Sequence, residues 1–213
     1  MLLSGLLAMS RSLRSPRSTR SRALLALLLL IFCAAGCGRP PRESPPNLSS
    51  LPQFELLERS GETVTRESLL GRPWIADFVF TRCPAACPRL TAKMKDLGGR
   101  LPASSGARMV SISVDPEFDR PAVLAAYAER WQVRNPRWMF VTGERDAVWT
   151  LIREGFLLPV EAQDDVANPI LHSNRFALVD AAGNLRGTYE AFDPEALDRL
   201  LLDLAVIEGE ARR

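Results

Sequence analysis

An α/β sandwich of three layers around a central mixed sheet is the fold this sequence predicts, and three observations predict it. Trp74 to Thr81 is an almost unbroken run of apolar, aromatic and β-branched residues, as a strand covered on both faces requires. Two more short apolar runs, Met109 to Val114 and Trp138 to Val141, alternate with stretches whose apolar residues recur at helical spacing. A hairpin pattern and one long amphipathic stretch then complete the chain, an order that gives parallel strands at the centre and antiparallel strands beside them.

Taken in order, Phe54 to Leu57 and Glu62 to Thr65 read as a short hairpin through Ser60-Gly61, and Glu67 to Leu70 as one helical turn closed by Gly71. After the Trp74 strand, a helix is predicted from Pro84 to about Leu97, with Leu90, Met94 and Leu97 on one face and Gly98-Gly99 as its end. Pro84 and Pro88 both fall in its first turns and predict a kinked start. The Met109 strand leads into Asp115-Pro116-Glu117-Phe118-Asp119. Pro121 to Trp131 then repeats Val123, Leu124, Tyr127 and Trp131 at helical spacing, with Asp119 as candidate N-cap. Thr142 is the candidate cap of a helix from about Glu144 to Glu154. Beyond a loop holding Pro159 and Pro169, Arg175 to Asp180 and Asn184 to Tyr189 form a hairpin around Ala181-Ala182-Gly183. Asp193 and Pro194 open a last helix with Leu197, Leu200, Leu201, Leu204 and Ile207 along one face. This succession is that of a thioredoxin-like three-layer sandwich, placed at 53–210.

The segment ahead of that domain has a different composition. Residues 1–36 hold Arg11, Arg14, Arg17, Arg20 and Arg22 with no acidic residue, then the apolar run Ala23 to Ala35. A basic stretch followed by a short apolar one is the pattern of an export signal. Ala34-Ala35-Gly36-Cys37 resembles the lipobox of bacterial lipoproteins, which makes Cys37 the expected lipidation site and the domain a membrane-anchored, periplasm-facing one of the bacterial cell envelope. An uncleaved N-terminal anchor is the alternative. Residues 37–52, with Pro40, Pro41, Pro45, Pro46 and Pro52, read as a semi-extended spacer. Removing 1–36 takes away five of 27 basic residues and none of 25 acidic ones, leaving 22 against 25. That balance carries no nucleic-acid footprint, which needs a Lys/Arg-rich face.

Four cysteines are present, and with Cys33 and Cys37 assigned to the signal and anchor, Cys83 and Cys87 are the only thiols of the folded domain. A lone close pair in an oxidising compartment is a disulfide, a redox couple or a metal site. Cys83-Pro-Ala-Ala-Cys87-Pro88 sits where the first central strand gives way to a helix. There an i, i+4 spacing places both sulfurs on one face, and the helix start lowers a thiol below its ordinary value of about 8.5. His172 is the only histidine and lies in a predicted loop before the Arg175 strand, a loop that approaches the cysteine turn in this fold. Two thiolates and an imidazole make a three-coordinate site whose soft sulfurs select Cu(I); Cu(II) would use the same atoms with an added oxygen. A structural zinc site asks for four protein ligands, and a structural disulfide across so short a loop adds little constraint. Asp115 and Asp119 flank the same end of the sheet as a possible outer oxygen or docking contact, with helix capping as the alternative for Asp119.

Phe80-Thr81-Arg82-Cys83-Pro84-Ala85-Ala86-Cys87-Pro88, Ser113-Val114-Asp115-Pro116-Glu117-Phe118-Asp119 and His172-Ser173 together resemble the three sequence blocks of the Sco/SenC copper chaperones. The resemblance spans roughly Phe54 to Ile207. It implies a thioredoxin-like fold with a hairpin insertion, and copper held at Cys83, Cys87 and His172. It also implies a role in assembling the copper centre of cytochrome c oxidase, with the oxidase copper subunit or another periplasmic copper protein as partner. Leu171 departs from the pattern, since many relatives carry an acidic residue before the histidine. The alternative function is a thiol–disulfide oxidoreductase that keeps a partner's cysteines reduced; a metallochaperone, by contrast, is not a turnover enzyme.

Overall fold

The computed structural model describes residues 42–165 and 169–212, so the signal at 1–36 and the candidate lipidation site Cys37 lie outside the described residues. Strands β1 (Ser49–Ser50), β2 (Glu55–Glu58) and β3 (Thr63–Thr65) precede a short helix, α1 (Arg66–Leu69). Then β4 (Trp74–Val79), α2 (Ala86–Arg100), β5 (Arg108–Ser113), α3 (Pro121–Arg130) and β6 (Trp138–Thr142) alternate. Helix α4 (Arg145–Thr150) runs on as a π-helical turn, Leu151–Gly155, and is followed by β7 (Val160–Ala162) and β8 (Ile170–His172). Strands β9 (Arg175–Val179) and β10 (Asn184–Glu190) and helix α5 (Pro194–Glu210) complete the domain.

Eight strands form one sheet in the order β1-β10-β9-β4-β5-β6-β2-β3. β4, β5 and β6 are parallel at its centre and every other pairing is antiparallel, which is the mixed sheet the pattern predicts. All six residues of β4 are buried, as befits the strand with a parallel neighbour on one side and antiparallel β9 on the other. The crossovers β4–α2–β5 and β5–α3–β6 step the same way across the sheet, and right-handed connections therefore lay α2 and α3 on one face. A 2.7 Å hydrogen bond between Thr91 and Tyr127 joins them there, and α5 is tied to the same side through Ser105 and Glu208. The opposite face takes the segment after α4. Phe156 packs edge-on against Trp74 and Phe78, two residues that alternation along β4 directs the same way.

Several local expectations are corrected. Helix α2 begins at Ala86 rather than Pro84, and it passes through Gly98-Gly99 to Arg100. A Cβ on Gly98 would lie 2.8 Å from the Met109 side chain, so this glycine serves close packing of helix on strand and does not end the helix. The N-cap position of α3 is Arg120, not Asp119, and that of α4 is Glu144, not Thr142, whose buried hydroxyl has no partner. The stretch predicted as a loop around Pro159 and Pro169 contains a two-stranded ribbon in which Val160 pairs with His172. At α5 the expectation and the structure agree: Asp193 accepts from the Glu195 N–H at 2.9 Å, with Pro194 following it.

The described part of the predicted spacer, 42–52, is packed on the domain. Proline removes donors but leaves carbonyls to be bound. The Arg186 guanidinium donates to the Pro45 carbonyl at 2.6 and 3.0 Å and to the Ser44 hydroxyl, while it pairs with Asp180 at 3.0 Å. Ser49 and Ser50 add an edge strand to β10, and Leu51 is buried in the core. Because Arg186 and Asp180 are both nearly buried, Arg186→Ala would strip that carboxylate of its cation, leaving it only the bonds from Ala182 and Asn184, and would strip the Pro45 carbonyl of its guanidinium donors. A loss of about 2 to 3 kcal/mol in urea unfolding is expected, with faster amide exchange at Leu48 and Leu51; an unchanged midpoint and exchange pattern would show that the clamp contributes nothing.

Candidate functional site

The site forms at the edge of the sheet where β4 ends. The turn from Phe80 to Ala85 leaves the strand and does not become helical until Ala86, so Cys83 lies in the turn and Cys87 in the first turn of α2. The backbone at Ala85, with φ −129° and ψ −68°, bends the chain there, and Ala85 has no side chain able to cap the helix. Sulfur replaces the missing cap: the Cys87 N–H donates to Cys83 Sγ at 3.4 Å. Cys87 Sγ in turn accepts the Phe80 N–H at 3.4 Å. Both thiols are free; Cys87 is 0 % exposed and Cys83 7 %.

His172 arrives from the other face as the last residue of β8. Its Nε2 lies 3.6 Å from Cys87 Sγ, and its ring meets Phe80 edge to face with centroids 5.6 Å apart. Nδ1 is 3.1 Å from the Ser173 carbonyl oxygen. A carbonyl can only accept, so Nδ1 carries the proton and a neutral ring turns the Nε2 lone pair toward sulfur. When Nε2 is protonated instead, it donates to a neighbouring thiolate.

The two thiols differ in acidity. Burial opposes ionisation of Cys83, but hydrogen bonding from His172 and from the Cys87 and Ala85 N–H groups outweighs it and brings this thiol down to about 6. At Cys87 burial prevails over the Phe80 N–H and pushes the thiol up.

The turn is fixed from below by Asp119. Its carboxylate accepts from the Thr81 N–H at 3.0 Å, from the Thr81 hydroxyl and from the Ser113 hydroxyl at 2.7 Å. Burial raises this carboxyl above the usual range against the opposing pull of those bonds. Asp115 pairs with Arg82 Nε at 2.6 Å, and the same guanidinium lies 5.1 Å from the Phe118 ring centre. Neither carboxylate hydrogen-bonds to Cys83, Cys87 or His172 among the described residues. The two aspartates therefore hold the backbone that carries the cysteines. That role is not visible in a spacing, because it depends on Thr81 and Arg82 meeting residues over thirty positions away. Among the described residues no three His, Cys, Asp or Glu side chains are already closed into a metal-binding cluster. The separation that is already ligand-like is that of Cys87 Sγ and His172 Nε2, and Cys83 Sγ lies one hydrogen bond from the Cys87 N–H.

One further residue of β4 departs from the apolar pattern. Asp77 is a carboxylate in the middle of the apolar β4 run, is 0 % exposed, and is rare company for such a strand.

Fold and site together define a thioredoxin-like domain with a free dithiol at a helix start and an imidazole laid against it. The chain belongs to the SCO1/SenC family, whose family model matches residues 42–200. It is 31 % identical over 185 residues to the SCO1 protein homolog of Bacillus subtilis (strain 168), covering 86 % of this chain and 94 % of that one. A candidate copper-binding protein of Stutzerimonas stutzeri is 32 % identical over 160 residues, 73 % of this chain and 75 % of that one. Among solved structures, BsSco, described as a Sco-family cytochrome c oxidase assembly protein with a disulfide switch, is 30 % identical. It superimposes with a TM-score of 0.69 over 79 % of this chain and 98 % of its own. A SCO1/SenC family lipoprotein from Bacillus anthracis gives 25 % identity and a TM-score of 0.68 over 77 % and 97 % of the two chains.

The unequal thiols make a direct expectation for the reduced, metal-free protein. Alkylation by iodoacetamide should consume one thiol, Cys83, with a midpoint near pH 6, because only the thiolate attacks. Two thiols reacting alike with a midpoint near the ordinary value of about 8.5 would contradict the asymmetry.

Proposed function

We propose that this chain is a metallochaperone that binds one copper ion through Cys83, Cys87 and His172 and passes it to a copper protein, the acceptor being the copper subunit of cytochrome c oxidase. The observation that carries the reading is the 3.6 Å between Cys87 Sγ and His172 Nε2. Bonds of about 2.3 Å to sulfur and about 2.0 Å to imidazole nitrogen, meeting at roughly 110 to 120°, put two ligand atoms about 3.5 to 3.7 Å apart. Sulfur and ring are thus spaced as ligands of one ion before any ion arrives, and the Ser173 carbonyl holds the tautomer that ligation needs. A donor set of two thiolates and one imidazole suits Cu(I), and an added oxygen ligand adapts it to Cu(II).

Loading requires two deprotonated thiols, so uptake releases protons and weakens as pH falls. Cys83 meets that requirement near neutral pH, and the half-buried His172 lies beside it. These two are the positions at which an acceptor's donors would replace the chaperone's own, while Cys87 holds from beneath.

The assignment of oxidase assembly is supported by family membership and by the stated role of BsSco, the similar protein described above. The envelope location is supported by the signal pattern over 1–36 with the lipobox at Cys37, and by the lipoprotein character of the Bacillus anthracis relative. Such an anchor keeps the domain facing the periplasm, where two lipid chains give stable attachment.

A second reading, thiol–disulfide exchange on a partner's cysteines, is favoured by one observation: a nucleophilic Cys83 at about 6 beside a protected Cys87. The two readings separate at His172. Titration of the reduced protein with Cu(I) against a competing chelator should show one tight equivalent in the wild type. In His172→Ala a loss of about a hundredfold or more is expected. Unchanged affinity in the variant would refute the three-ligand site, and Cys83→Ser with Cys87→Ser should abolish tight binding altogether.

A further inference from the structure

Helix α2 carries two glycines in its last turn, and packing explains only one of them. Gly98 lies on Met109, where a Cβ would come within 2.8 Å of the thioether side chain. Gly99 is crowded by nothing: a Cβ added there would meet no atom within 4 Å. Glycine in a helix is disfavoured against alanine, so an exposed glycine with open space before it departs from what the helix itself selects. A second departure lies nearby. Helix α3 closes with the Gln132 N–H on the Glu129 carbonyl at 2.8 Å and the Val133 N–H on the Ala128 carbonyl at 3.0 Å. That ending puts residue 132 in the left-handed region, where glycine is the usual occupant, yet here φ is +53° and the residue is glutamine. A side chain is absent where the helix would carry one and present where the turn would omit one, and both positions line one recess.

The recess encloses about 370 Å³, room for a molecule of one or two rings. Its floor is apolar. Met109 and Trp138, both buried, close it from below, and the Trp138 indole N–H is committed to the Ser111 hydroxyl at 2.9 Å, so the ring offers carbon. Without side chains at Gly98 and Gly99, the wall on the α2 side is bare backbone. A bare wall, an indole and a thioether suit a planar aromatic body, since ring edges and sulfur attract one. The rim is cationic. Lys95 gives one of its three protons to the Trp131 carbonyl at 2.9 Å and keeps two. Arg134 makes no ion pair or hydrogen bond among the described residues. Asn135 spends its side-chain oxygen on the Arg137 N–H at 3.0 Å, which leaves its NH₂ unengaged. No acidic side chain among the described residues lines this recess. Donors and positive charge without acceptors call for an anion, and a carboxylate matches the paired N–H groups of a guanidinium.

We propose that this recess binds a small aromatic carboxylate, its ring against Met109 and Trp138 beside Gly99 and its carboxylate at Lys95 and Arg134. The site is distinct from the copper site. Gly99 and Cys87 are held on the same helix, roughly 18 Å apart along its axis at about 1.5 Å per residue. The two sites have no residue in common, and the inference stands or falls independently of the copper reading.

The test is calorimetric titration of the full-length protein with 2-naphthoate and, in a second arm, with the neutral amide of the same ring system. The wild type should bind one equivalent of 2-naphthoate with a Kd below about 1 mM and the amide at least about tenfold more weakly. Gly99→Leu fills the recess from a position where nothing obstructs the new side chain, and leucine is the better helix former. It should therefore keep or raise the Tm and weaken 2-naphthoate by at least about tenfold. Replacing both cations, Lys95→Met with Arg134→Met, should bring the carboxylate down to the affinity of the amide and leave the amide unchanged. Binding of 2-naphthoate that survives Gly99→Leu is adventitious and overturns the proposal. So does the absence of saturable binding in the wild type, or equal affinity for the two probes. Should Gly99→Leu fail to fold, the double variant decides: an undiminished affinity for 2-naphthoate in it overturns the proposal, and a loss confined to the carboxylate supports it.

Discussion

One contact sets the rest of the site: the edge of the His172 ring laid against the buried sulfur of Cys87. It joins the two faces of the sheet at a single point. Cys87 comes from α2 on one side, and His172 comes from the ribbon that follows the helix on the other. Neither is free to shift, since the Phe80 N–H holds the sulfur and the Phe80 ring and the Ser173 carbonyl hold the imidazole. The turn between them is fixed in its own right, with Asp119 gripping Thr81 and Asp115 gripping Arg82. The Arg82 pair is about half exposed on the arginine side and contributes little energy; its effect is on where the turn lies.

That arrangement makes chemically unequal partners of two identical side chains four residues apart. Cys83 collects the free N–H groups of a helix start that has no side-chain cap, and so it ionises easily. Cys87, in the first turn of α2, lies beneath the surface and keeps its proton. A metal chaperone and a dithiol reductant both benefit from this division. One position meets the partner and the other stays protected.

The parts of this design carried by periodicity were readable in the chain. The three parallel strands, the apolar faces of α2 and α5, and the cap at Asp193 follow from local pattern, and the cysteine turn and the lone histidine stand out by residue type. The parts set by distant partners were not. Gly98-Gly99 looks like a helix end, yet Gly98 is small because Met109 lies against it. His172 looks like a loop residue, since its strand exists only through pairing with Val160 twelve positions earlier. Asp119 looks like a cap because its partners, Thr81 and Ser113, come together only in the folded sheet. The proline-rich stretch reads as a spacer because the Arg186 that binds its carbonyl is about 140 positions away. Asp77 is a different case: an acidic residue inside a buried strand is visible in the sequence, and the fold leaves it fully buried with neither oxygen hydrogen-bonded.

The claim on which the account turns is that two sulfurs and one imidazole of this chain surround a single copper ion. X-ray absorption at the copper edge of the reduced, copper-loaded protein measures this directly. The account predicts a three-coordinate Cu(I) with two sulfur scatterers and one nitrogen whose outer-ring signal marks it as imidazole. A copper with two sulfurs and no imidazole signal, or one ligated by nitrogen and oxygen alone, would contradict it.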